Sequence, residues 1–163
     1  MTKNQIRYIS QKDKEELMNT IDKEVINVQI IDGRDIQTLE QLLVKMAIAY
    51  KFPSLEYNLD GFIDWMSDID QRFNENEFVL IIDNYDEMMK NQLDEKRMIM
   101  SIFVESILYW WDEECVECYN GKRIDFNVYL VNSWEYLSKK IYYELTDHQK
   151  CDEKISNKLN NSD

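Results

Sequence analysis

The sequence is short of the residues that turn and break a chain. It holds one proline, Pro53, and three glycines in 163 residues. That excludes a many-turned all-β sandwich or barrel and leaves helices to dominate, with a few strands. A single histidine, His148, leaves no relay of nucleophile, base and orienting acid. Positive charge is scarce too: 19 Lys and Arg stand against 32 Asp and Glu, a formal net charge of −13. Such a chain suits a cationic partner and is a poor ligand for nucleic acid or an anionic membrane surface. No apolar run is long enough to span a bilayer. The first 21 residues lack the apolar centre of a secretory signal, and the cysteines number three. Both features predict reduced thiols and a cytoplasmic location.

What is present is material for a core. Hydrophobic residues make up 44% of the chain and aromatics 12%, enough in one domain of this length to bury a sizeable interior. Residues 1–24 read as an N-terminal extension, with a short amphipathic helix closing over 16–21. Residues 25–31 are β-branched and end at Asp32-Gly33, a strand followed by a turn. Thr38 and Gln41 form a capping box. Leu39, Leu42, Leu43, Met46, Ala47 and Tyr50 follow at helical spacing, up to a stop before Pro53. The unbroken apolar run over 78–82 predicts a strand covered on both faces, as in a parallel sheet. Residues 86–118 read as a helix apolar around much of its circumference, with Trp110 and Trp111 in the core. Residues 125–131 form a third strand. Ser133 then caps a further helix over 132–147, with Trp134, Leu137, Ile141 and Leu145 on its buried side, before a polar tail over 148–163. The order β, α, α, β, α, β predicts an α/β domain over 25–131: a small three-stranded parallel sheet packed with helices.

The stretch over 58–69 carries the chemistry. At helical spacing Leu59, Phe62, Ile63, Met66 and Ile69 share one side, while Asp60, Asp64 and Asp68 fall four apart nearly opposite. Asn58 serves as N-cap and Asp60 lies in the first turn, where negative charge is favourable. Carboxylates at this spacing repel by roughly 0.2–0.5 kcal/mol per pair when no cation lies among them. The stripe therefore faces solvent or meets a basic partner. Two such carboxylates could also share a divalent cation. No glycine-rich phosphate loop or basic cluster accompanies them, so neither a metal, a cofactor nor an enzymatic activity is expected. Cys115 and Cys118 make one C-x-x-C without a second pair and read as packing thiols.

The order and spacing of Ile30-Ile31-Asp32-Gly33, Ile36, Thr38, Leu42, Pro53 and Asn58-Leu59-Asp60-x-x-x-Asp64 resemble the barstar family of intracellular ribonuclease inhibitors, over about residues 25–131. The resemblance implies that the loop after Pro53 and the start of the next helix plug a basic nuclease active site, carboxylates standing in for substrate phosphates. Carried over, Asp60 and Asp64 are the acidic contacts and Asn58 opens the helix; Tyr57 and Asp68, on either side, are secondary contact candidates. Asp112 or Glu113 would supply the family's further acidic contact late in the helix before the last strand, with Glu114 a third candidate. The chain departs from the family in three places. Its loop is one residue shorter, with Tyr57 alone where the family has a tyrosine pair. Ile63 stands where a tryptophan separates the two aspartates, and Trp65 follows Asp64 instead. About seven extra residues precede the last strand. The expected function is an immunity or antitoxin protein whose partner is a basic ribonuclease or nuclease toxin. A second reading keeps the fold as an interaction or dimerisation module; the sequence sets no oligomeric state.

Overall fold

The computed structural model describes residues 3–54 and 58–133. Tyr57 and, beyond Ser133, the expected helix and tail over 132–147 and 148–163 lie outside the described residues. Among the described residues four parallel strands form one sheet: β1 (Ile6–Ile9), β2 (Asn27–Asp32), β3 (Glu77–Asp83) and β4 (Asp125–Val131), in the order β1-β4-β3-β2. The expectation of three strands is thus corrected to four. The fourth, Ile-Arg-Tyr-Ile, lies in the stretch read as an extension and is too short and too charged to announce itself. Pairing is what makes it a strand: Ile6 lies beside Val128 and Ile9 beside Val131, and Ile6, Tyr8 and Ile9 are all buried.

β3 is the centre of the sheet, and its apolar run serves two layers. Phe78, Leu80 and Ile82 face the larger core, while Val79 and Ile81 face a smaller one. The larger core is closed by α2 (Leu39–Ala49), α3 (Leu59–Met66) and a long helical segment described below. The smaller is covered by α1 (Gln11–Thr20), through Leu17 and Met18. Ser10 and Asp13 form a capping box that starts α1, and Lys14 anchors its first turn on Asp83 at 2.6 Å. Across β3 and β4, Phe78 and Phe126 are register partners with rings stacked 5.8 Å apart. Tyr50, the C-cap of α2, packs against both. Such aromatic pairs contribute about 0.5–1.5 kcal/mol each beyond the area they bury. The Tyr50 hydroxyl is buried without a partner, and burial pushes its pKa far above the ordinary phenol value.

The helix expected over 86–118 starts later and runs differently. Tyr85–Glu87 is a 3-10 turn, and Met89 is left-handed (φ 50°), its N–H donating to Ile36 O at 2.9 Å. That tertiary bond holds the chain out of a helix until α4 (Leu93–Ile102). From there the chain passes through π-helical turns over Phe103–Leu108 and Trp110–Glu114 into α5 (Cys115–Tyr119). The wider π turns are a place for extra residues to enter a helix without breaking it. Trp111 is fully buried and Trp110 partly so, as a core role requires. Cys115 is buried and Cys118 exposed. Among the described residues no helix is long and apolar enough to cross a membrane.

Candidate functional site

α3 is two turns long, and each end is built by side chains. Asn58 Oδ1 accepts the Gly61 N–H at 2.7 Å and satisfies one of the free donors of the first turn. Phe62 and Met66 are buried, with Leu59 and Ile63 packed partly buried beside them. The Phe62 ring lies between Phe52 and Phe103, at 6.2 and 5.6 Å. At the far end the Trp111 indole donates to Met66 O at 2.9 Å, which satisfies a carbonyl that the helix leaves open. The apolar stripe read from the sequence is therefore the face that packs.

The acidic stripe divides. Asp60 and Asp64 are exposed on α3 and take no hydrogen bond or ion pair among the described residues. Asp60 sits in the first turn, with the helix dipole. Asp64 sits in the last, where a negative charge is disfavoured by about 0.3–1 kcal/mol. A carboxylate left in that position without a cation lowers the stability of the free protein and raises the gain from a basic partner. Asp68 belongs to a different environment. α3 ends at Met66 and a 3-10 turn begins at Ile69, so Asp68 lies between them. Its carboxylate pairs with Arg72 at 2.5 Å.

The acids of the long helix are also engaged. Asp112 Oδ1 accepts from Arg123 Nη2, and Oδ2 from the Asn4 N–H, both at 2.8 Å. Glu113 bonds Lys3 at 2.7 Å and raises the pKa of that lysine. Glu114 is half-buried. The structure thus gathers Asn58, Asp60 and Asp64 on one short helix and sets Asp112 and Glu113 against the N-terminal segment.

Two signals in the sequence mark Arg72, though neither points to a role at α3. It is four residues after Asp68, the helical ion-pair spacing, and it is the sole Lys or Arg between Lys51 and Lys90.

The family model described as Barstar (barnase inhibitor) matches residues 26–130. No curated protein and no solved structure gives a significant match to the chain. The matched span begins just before β2, ends within β4 and includes α3 with its acidic face. The chain belongs to the barstar family, whose members act as ribonuclease inhibitors and not as enzymes.

Proposed function

We propose that this protein inhibits a small basic ribonuclease of the barnase class, or a related nuclease toxin, by seating α3 in its active site. The role would be self-protection in the cytoplasm of the cell that makes the toxin. One observation carries the reading: Asp60 and Asp64 stand exposed on a short helix anchored at both ends, with no cation of the described chain paired to either. A nuclease active site is a concave cluster of Arg, Lys and His built for phosphates, and rigidly held carboxylates complement it through charge-assisted hydrogen bonds. Asn58 opens the helix and Tyr57 precedes it. Asp68, Asp112 and Glu113 serve internal pairs in this reading and are not primary contacts.

Calorimetric titration against a barnase-class ribonuclease at low and high salt tests it. The expected result is 1:1 binding that weakens with salt, since exposed charges steer and hold the encounter. Asp60→Ala and Asp64→Ala should each weaken it by about 2 kcal/mol or more, roughly thirtyfold, as for a charged anchor at an interface centre. Binding indifferent to both substitutions would place the interface on another face.

A further inference from the structure

Resting on the reading of α3 as the inhibitory element, we infer that Arg72 is the positioning residue that fixes this helix and leaves two carboxylates, Asp60 and Asp64, free for the partner. The Arg72 side chain is 12% exposed. Its Nε donates to Tyr50 O at 2.9 Å and its Nη2 to Trp65 O at 2.5 Å. Its Nη1 donates to Asp68, to Oδ1 at 2.5 Å and to the carbonyl at 3.4 Å. Tyr50 caps the end of α2 and Trp65 lies in the last turn of α3. One planar cation therefore ties together the C-terminal ends of the two helices that the loop after Tyr50 connects. The guanidinium also lies near two rings, 5.6 Å from the centre of Phe52 and 5.8 Å from that of Trp65.

The site suits a guanidinium for a physical reason. Each helix C-terminus carries unpaired carbonyls and about half a negative charge, and Asp68 adds a full one. A rigid fork of donors meets several acceptors at once; a lysine ammonium on a flexible stem cannot match that geometry.

The consequence for α3 is direct. At eight residues it is shorter than the roughly 12–15 at which an isolated helix holds in water, so its placement comes from its anchors. Asn58 holds the start, Trp111 and Arg72 the end. By donating to Trp65 O, Arg72 also satisfies a carbonyl at the negative end of the helix. By pairing with Asp68, it removes one acid from the stripe. What remains is a pair of carboxylates one helical turn apart, on Cβ atoms about 5–6 Å from each other, which fits a partner presenting two neighbouring cations.

Two readouts test this, one of them independent of any partner. The first is amide hydrogen exchange in the wild type, R72Q and R72K, comparing α3 with β3 and β4. R72K keeps the charge and the stem and guards against a variant that does not fold. Loss of the fork should reduce protection of the α3 amides roughly tenfold while the sheet amides hold. Unchanged α3 exchange, equal acceleration in helix and sheet, or full rescue by lysine would overturn the assignment. The second readout is dissociation of the complex with a barnase-class ribonuclease, measured with D64A in both the wild-type and R72Q backgrounds. R72Q should dissociate about tenfold faster with little change in association. The factor lost through D64A should be smaller in the R72Q background, because the two residues act through one placement. An equal D64A factor in both backgrounds would overturn the positioning role. If the wild type does not bind, the ribonuclease reading falls, and the exchange measurement decides Arg72 on its own.

Discussion

Asp112 accepts a hydrogen bond from Arg123 at 2.8 Å, and the two side chains are only 9% and 16% exposed. Around this pair three parts of the chain meet. Asp112 takes the Asn4 N–H on its other oxygen. The Asn4 side chain donates to Ile124 O and accepts from the Phe126 N–H, at 2.8 and 2.9 Å. The long helix, the segment entering β1 and the start of β4 are thereby locked together.

Removing the carboxylate would take one partner from a nearly buried guanidinium that still pairs with Asp125, and would leave the Asn4 N–H without its acceptor. Asp112→Ala should lower the free energy of unfolding by about 1–3 kcal/mol, read from urea denaturation. Affinity for the barnase-class ribonuclease proposed as partner, titrated where the variant is folded, should stay within about twofold, because the carboxylate faces inward and away from solvent. Lost affinity with unchanged stability would put Asp112 back on the partner surface.

Lys96 gives the fold a pH dependence. Its Nζ donates to Tyr85 O at 2.6 Å and lies 4.0 Å from the centre of the Tyr85 ring. Burial pushes its pKa from 10.5 down to about 8, against the opposing pull of Asp86 and Glu87. Between those two values the unfolded chain binds more protons than the folded one, so stability rises with pH across that window and not below it. Relative to Lys96→Met, the wild type should gain on the order of 1–3 kcal/mol between about pH 7 and about pH 10. Urea denaturation of both at the two pH values measures it. A constant difference would show that the folded protein tolerates the charge without penalty.

Gly33 closes the end of β2 against the end of β3. A Cβ there would collide with the Asn84 carbonyl and lie 3.0 Å from Asp83 O, both backbone groups that cannot swing aside. Asn84 is itself left-handed (φ 48°) and bonds Asp32 at 3.0 Å, so the neighbouring turn is already committed. Gly33→Ala should destabilise the protein by about 1–3 kcal/mol, seen as a lowered Tm. An unchanged Tm would mean that the two strand ends have room to separate.

How much of this is legible in the sequence depends on whether the cause is local. β3 announces itself because every residue from Phe78 to Ile82 is apolar, and both its faces are covered. The packed face of α3 follows from helical period alone, and its start from Asn58. β1 does not show, because four residues carry no period and the partner strand lies at the other end of the domain. The end of α3 at Met66, which separates Asp68 from Asp60 and Asp64, is set with Arg72 and Trp111 in place. Spacing cannot say which of three successive acids, Asp112 to Glu114, turns inward; Arg123 and Asn4 decide it. Met88 and Met89 look helical by composition, yet the bond from Met89 to Ile36 holds them otherwise.

The pairing of β1 with β4 bears on how the molecule is made. Register partners on these strands, such as Ile6 and Val128, are 122 residues apart (128 − 6), and β4 is the only described strand beside β1. β2, β3 and β4 are neighbours in the order in which they are synthesised, so they can assemble as the chain lengthens. β1 cannot, and non-local parallel pairing is the slow kind. Of the described strands, the first to be made is therefore the last to be accommodated. α3 is complete by residue 66, yet it waits on residues 125–131 for a finished scaffold. The acidic face of α3 therefore gains its finished support only after β4 has been made, when Ile6 finds Val128.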